Sequence, residues 1–300
     1  MSTVLLENDD LRLLVDPQNG AGTLSLYGYS GHQWLPLMPD SQRADCDLAC
    51  SNFLMVPYSN RVENGAFVFG GQHYQLENGS QHAIHGDVRH RPWQISEQSA
   101  TRLGCAWDSR QAERVNWPWP FAVAAEFALD GAQLTMRLTL RNEGDSPMPA
   151  GMGWHPYFNR TLTHKNEPVY LHFSLEGAYP DANETRIPSG PLQPLAPHQD
   201  FAQARMLEPD NFLDTCYYGF QGGRITWPES GIALRLDASQ TCNHLIVYNP
   251  AGKSYFAVEP VTNANNGVNL LAQDDPTCGT AVLYPGAELA AECTLSLERM

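Results

Sequence analysis

The chain has 300 residues, 42% of them hydrophobic, with 24 Gly and 22 Pro; a folded unit of this size buries roughly three quarters of the surface its extended chain exposes, which argues against disordered and fibrous classes. A formal charge of −15 argues against a nucleic-acid backbone or an anionic membrane surface as partner, because both attract proteins through Lys and Arg. No run of about 18 apolar residues occurs that would cross a membrane, "MSTVLLENDDLRLL" has no signal-peptide pattern, and seven scattered cysteines without Cys-x-x-Cys point to a reduced, cytoplasmic protein.

In chain order, "ADCDLACSN" (44–52) is the one modest helix candidate. "PYSNRVENGAFVFGGQHYQLENGSQHAIHGDVRHRPW" then gathers Asn60, Arg61, His82, His85 and Gly86, with Gly70-Gly71 reading as a tight hairpin. His82 and His85 form a His-x-x-His. On a strand, residues three apart point to opposite faces, so no metal site is expected. "QLTMRLTLRN" places Leu134, Met136, Leu138 and Leu140 on one face and Thr135, Arg137, Thr139 and Arg141 on the other, which is a half-buried strand.

"GMGWHPYFNR" follows. Strand parity puts His155 with Tyr157, opposite Trp154, Pro156 and Phe158. Residues 181–209 are irregular and proline-rich, a functional loop or surface excursion more than a domain boundary. "NFLDTCYYGF" supplies Asp214, and "GIALRLD" alternates again. In "SYFAVEPVTNANN", Phe256 and Val258 face one way while Tyr255, Ala257 and Glu259 face the other. Pro260 holds Glu259 extended at the strand's end. Pro285-Gly286 turns the chain into a last alternating run, "LAAECTLSLE". Many short strands with Gly and Pro turns and no convincing linker predict one all-β domain over residues 1–300, a mostly antiparallel sandwich or barrel.

Two segments thus each offer one proton-handling group on a strand whose other face is apolar. A histidine of ordinary pKa about 6.5 and a glutamate of about 4.3 suffice for paired acid and base work. Taken singly, a His beside aromatics is more often structural, and a Glu at a strand end more often solvated or ion-paired.

The runs "NR", "G-x-F", "Y-x-L", "H-G", "HPYF", "LD", "LIVYNP" and "VEP", in that order between about Asp10 and Glu298, resemble the aldose 1-epimerase (galactose mutarotase-like) family. The resemblance implies a large single-domain antiparallel β-sandwich with a sugar cleft across one sheet, and an isomerase without cofactor or metal acting on a small sugar. It also implies roles: His155 as general acid, Glu259 as general base, Asn60, Arg61 and His85 at sugar-binding positions, and Asp214 as a hydroxyl-binding acid. The expected reaction opens the hemiacetal and recloses it as the other anomer of a free hexose such as glucose or galactose, with a bell-shaped rate profile near neutrality. Arg61 and His85 are expected to act as fixed donors toward developing oxygen charge.

Several readings stay open beside this one. The "HGDVRHRPW" continuation places Asp87, Arg89, His90 and Arg91 where family members carry small residues. Arg89 or Arg91 would then meet an anionic group, such as a phosphate, carboxylate or sulfonate on the sugar, unless they only pair with Asp87 at the surface. Trp117 and Trp119 of "NWPWPF" stack sugar or pack; "NANNGVN" rims the cleft or turns the chain. A non-catalytic carbohydrate-binding protein on the same fold, or a glycoside hydrolase using Glu259 with Asp214, are the rival functions. The preferred sugar and the oligomeric state are not written in these motifs.

Overall fold

The computed structural model describes residues 3–300. Its largest sheet has nine strands, in spatial order Arg205–Met206, Tyr170–Phe173, Gly223–Trp227, Ile232–Ala238, Glu288–Arg299, Gln133–Asn142, Phe121–Asp130, Arg102–Asp108 and Gln94–Gln98. A second sheet runs Gly177–Ala178, Leu213–Tyr218, His244–Asn249, Tyr255–Val261, Gly153–Trp154 and Leu54–Met55, with Tyr157–Asn159 also paired to Tyr255–Val261. The ladders of both sheets are antiparallel.

The period-two runs explain why these sheets stack. Leu134, Met136, Leu138 and Leu140 are fully buried, while Arg137 and Arg141 on the alternate face are exposed. From the facing sheet, Trp154, Phe158, Phe256 and Val258 enter the same apolar core. Two such faces exclude water only when pressed together, and the result is a mostly β, antiparallel sandwich.

The second sheet is covered on its outer face as well, over part of its width, where Met55, Ile246 and Val261 pack with Ala264, Leu270 and Cys278. Burial on both sides is why every residue of Tyr255–Val261 is buried and its sequence shows a weak alternation. Beyond that cover the same outer face stays open, and this is where the candidate site lies.

Two local expectations change. Residues 44–52 are irregular, not helical. Ser51 and Asn52 bond back to Thr23 (Ser51 N to Thr23 O, 2.7 Å; Thr23 N to Asn52 O, 2.8 Å), and this edge pairing draws the chain straight. The "NANNGVN" segment instead leads into the helix Gly267–Ala272, entered through Asn266 at φ +59. The Gly70-Gly71 hairpin forms as expected between Ala66–Phe69 and Gln72–Gln75, with φ of +57 and +77 that favour glycine. No helix among the described residues is long and apolar enough to cross a membrane.

Candidate active site

Strand register assembles the site. Cys216 lies opposite Ile246, and Ile246 opposite Glu259; one step along the sheet, Asp214 lies opposite Tyr248, Tyr248 opposite Ala257, and Ala257 opposite Tyr157. Residues two apart on a strand share a face, so Glu259, Asp214, Tyr248 and Tyr157 emerge on the same side of the sheet. His155 sits in the short connection between Gly153–Trp154 and Tyr157–Asn159. Trp154 and Phe158 bury their rings in the core on either side of it, and its N–H donates to Phe53 O at 3.0 Å. The parity read from "GWHPYF" and "AVEP" therefore holds: both proton-handling groups face away from the sandwich core.

They also meet. His155 Nε2 lies 3.1 Å from Glu259 Oε1, with the residues 5% and 1% exposed. The remaining polar atoms, His155 Nδ1 and Glu259 Oε2, are buried without a partner. Buried side-chain polar atoms are nearly always paired, so a pair left half-satisfied in this way marks a place prepared for something else. Burial is the main cause of both groups' shifts. It lowers His155 to about 3, assisted by the nearby positive charges of Arg89 and Arg61. It raises Glu259 well above the ordinary carboxyl value, assisted by the negative charge of Asp214 and opposed by Arg61. Before a ligand arrives, the pair thus keeps a single proton on its carboxyl side.

His85 completes an aromatic cradle. Phe53 stacks on His155 with ring centres 4.4 Å apart, and the His85 ring stands edge-on to both, 5.2 Å from Phe53 and 5.3 Å from His155. His85 Nδ1 faces the carbonyl of Ser59 at 3.0 Å. A carbonyl only accepts, so Nδ1 carries the hydrogen. Burial, and then the neighbouring His155, hold His85 neutral. Its Nε2 is therefore the ring nitrogen without a hydrogen, able to accept but not to donate while the ring is neutral.

The turn around His85 also replaces the expected strand. His82, Ala83 and His85 all have positive φ, and His82 Nδ1 accepts from Asn64 N at 3.0 Å, away from the cradle. Gly86 makes the turn fit, with φ +67 and so close an approach to Val56 that an added Cβ would lie 2.1 Å from the Val56 carbonyl oxygen. Gly86→Ala is expected to cost about 2 kcal/mol or more through strain and backbone displacement. Scanning calorimetry checks it: a melting point equal to wild type contradicts the packing described.

Arg61 and Asn60 act as a unit. Asn60 Oδ1 accepts from Arg61 N at 2.8 Å and Arg61 Nη1 at 3.2 Å, so its carbonyl is spent on aiming the guanidinium. The Asn-rich turn after Glu259 helps: Asn266 N donates to Arg61 O at 2.7 Å. Asp214 faces Arg186, whose Nε lies 3.1 Å from Asp214 Oδ2. Arg186 comes from the irregular 181–209 loop and was not singled out from the sequence, since a lone arginine in an aperiodic stretch carries no pattern. Phe53 was missed for the same reason.

The two arginines after "HG" separate. Arg91 Nη2 pairs with Asp87 at 2.8 Å and also donates to the Arg114 carbonyl at 2.9 Å. Of the two readings left open for Arg91, the ion pair with Asp87 is the contact that forms. Arg89 instead lies 5.6 Å over the Phe53 ring and has no hydrogen-bond or ion-pair partner among the described residues. Trp117 and Trp119 pack with Phe67 at 5.4 and 6.3 Å, inside the core.

The arrangement is an antiparallel sandwich that carries a buried, half-satisfied His–Glu pair on the outer face of one sheet. The chain belongs to the aldose 1-epimerase family, whose sequence pattern matches residues 2–296. It is 26% identical over 310 residues to the uncharacterized protein YphB of Escherichia coli (strain K12), covering 99% of each chain. Among solved structures it superposes on a galactose mutarotase-like protein from Clostridium acetobutylicum with a TM-score of 0.86 at 16% identity, covering 99% of this chain and 95% of that one. A GalM/aldose epimerase homologue from C. elegans superposes with a TM-score of 0.81 at 17% identity, covering 100% and 99%. The fold is accordingly galactose mutarotase-like.

Proposed function

We propose that the protein is an aldose 1-epimerase that interconverts the α and β anomers of a free hexose such as glucose or galactose. The observation carrying this is the 3.1 Å contact between His155 Nε2 and Glu259 Oε1 with one polar atom of each left over. Anomer exchange removes a proton from the anomeric hydroxyl and adds one to the ring oxygen. Those two oxygens share one carbon, so the base and the acid must both reach that one centre, as neighbouring side chains on one face of a sheet can.

With the sugar in place the pair's proton passes from Glu259 to His155; Glu259 then takes the hydroxyl proton and His155 delivers its own to the ring oxygen, breaking the C–O bond of the ring and leaving the open-chain aldehyde. Rotation about the adjacent C–C bond presents the other face, and closure with the roles reversed forms the second anomer. One proton shared by the pair suffices, and nothing is oxidised or reduced, so the chemistry asks for no cofactor. Arg61 lies where its charge favours the ionised carboxylate, and His85 Nε2 accepts a hydroxyl. Seven free cysteines suit a reducing, cytoplasmic setting.

Arg89 favours a second substrate reading, a hexose bearing an anionic group, because its guanidinium stands beside the cradle unpaired. Polarimetry of freshly dissolved α-glucose, α-galactose and glucose 6-phosphate tests both readings. A protein-dependent acceleration that His155→Ala abolishes is the expected result. Faster exchange of the phosphate, lost in Arg89→Gln, selects the anionic reading. No acceleration with any of the three leaves a sugar-binding protein and sinks the epimerase.

A further inference from the structure

We infer that Phe53 and Tyr157 are positioning residues for the proton transfer: they hold the His155 imidazole between two aromatic rings whose faces favour its cationic form. The inference rests on the acid/base reading above and extends it to two side chains that exchange no proton themselves.

The stack follows from strand register. His155 N donates to Phe53 O at 3.0 Å and Tyr157 N donates to Ser51 O at 2.8 Å, continuing the antiparallel pairing of Trp154 with Leu54. Phe53 is therefore the cross-strand neighbour of His155, and Tyr157 its neighbour two residues along the same strand, so all three side chains emerge on one face. The ring centres of Phe53 and Tyr157 lie 4.4 and 4.6 Å from that of His155, and the rings are inclined to it by 26° and 38°. Rings this near to parallel meet through their faces, where an aromatic ring carries the negative part of its quadrupole. Each is propped in turn: the His85 ring stands edge-on to Phe53 at 5.2 Å, and Tyr255 stands edge-on to Tyr157 at 5.2 Å. Burial, and then the charge of Glu259, keep the Tyr157 phenol protonated, so its ring stays neutral.

The faces matter because little else near His155 welcomes a cation. The residue is 5% exposed, and its Nδ1 has no hydrogen-bond partner. After burial, which weighs most, Arg89 and Arg61 oppose the charge and only the residue's own backbone carbonyl assists it. His85 is itself held neutral by burial, and the Arg89 guanidinium, 5.6 Å from the Phe53 ring centre, draws on the same π system.

Glu259 Oε1, 3.1 Å from Nε2, is the natural counterion. In the reaction, however, Glu259 takes up the hydroxyl proton and loses its charge. Support from Phe53 and Tyr157 does not depend on the protonation of Glu259. It persists while the proton travels from His155 Nε2 to the ring oxygen, the stage at which an imidazolium is least compensated.

The test exchanges Phe53 for phenylalanine bearing one, three or five ring fluorines, which nearly keeps its size and withdraws charge from the face. With glucose, kcat is expected to fall stepwise, by about tenfold at five fluorines, while KM changes by less than about twofold. Tyr157→Leu lowers kcat about tenfold as well, and Tyr157→Phe, which keeps the ring, recovers most of the loss. A kcat indifferent to the fluorines leaves Phe53 as packing and overturns the inference, as does a Tyr157→Phe protein no faster than Tyr157→Leu. The cationic fraction of His155 gives a second reading without turnover. It is read from the ring nitrogens by NMR at about pH 4, within reach of the value of about 3 to which the residue is lowered. That fraction is expected to drop several-fold with five fluorines, and no change overturns the stack. A drop in a protein that exchanges no anomers keeps the stack and discards the epimerase.

Discussion

Glu259→Gln is expected to lower protein-dependent anomer exchange by about 10²- to 10⁴-fold, the range supplied by a positioned general acid or base, while making the protein more stable. Glutamine keeps the size and can still bond His155 Nε2, but it neither takes up nor releases a proton. The stability gain follows from the sign of the Glu259 shift. Burial holds its pKa well above the ordinary 4.5, so between 4.5 and the folded value the native state keeps a proton that the unfolded chain releases. In that window stability falls as pH rises, by about 1.4 kcal/mol per pH unit. The variant is free of this loss, so its melting point should exceed that of the wild type at pH 7.5, with the gap narrowing toward pH 4.5. Exchange measured by NMR saturation transfer and melting measured by calorimetry check the two halves. A fully active glutamine variant removes Glu259 from the mechanism; a less stable one denies that the carboxyl is held against its solvation.

Opposed effects on stability and activity are what a prepared site produces, and they explain which parts of this molecule could be read in advance. Strand runs were legible because burial on one face writes a period of two into the sequence, as in Leu134, Met136, Leu138 and Leu140. The orientation of His155 and Glu259 followed from the same rule, since Trp154, Phe158, Phe256 and Val258 fill the core and force their neighbours outward. Their meeting at 3.1 Å did not follow. It depends on Tyr157–Asn159 pairing with Tyr255–Val261, a contact between residues about a hundred positions apart that no local pattern encodes.

Turns were the other failure. His82 and His85 read as strand residues on opposite faces; the backbone instead takes positive φ at both, and only Gly86 hints at it. Arg186 was hidden because its neighbours are held by Asp181, whose carboxylate accepts from the backbone N–H of Thr185 and Arg186 at 2.9 and 3.0 Å. A loop folded by its own side-chain-to-backbone bonds has no hydrophobic period to reveal it.

The rate profile should be broad where the sequence implied a bell near neutrality. The reacting form is the pair with one proton. Two unshifted groups would hold one proton only between 4.5, where the carboxyl releases it, and 6.5, where the imidazole does. Burial moves both limits outward. A second proton must enter the pair against desolvation of a cation, and the acid limit falls toward the value of about 3 to which His155 is lowered. Loss of the last proton leaves a buried carboxylate, and the alkaline limit rises with Glu259. These limits belong to the pair and not to either residue. The protein-dependent rate at pH 3.5, after subtraction of spontaneous exchange, is therefore expected to stay within about threefold of its value at pH 6, where an ordinary carboxyl limit would lower it about eightfold. If protonation of an ordinary carboxyl at 4.5 or an ordinary imidazole at 6.5 bounded the reaction, the rate would decline tenfold per unit beyond that limit. Circular dichroism at each pH separates this from acid unfolding, to which the buried neutral His85, His155 and His244 contribute: all three have lowered pKa values, the unfolded chain binds their protons first, and stability is lost as pH falls below 6.5. A folded protein whose rate drops tenfold per unit on either side of a narrow maximum between 4.5 and 6.5 would show that His155 and Glu259 titrate as solvent-exposed groups, and that the buried contact between them is not the form that reacts.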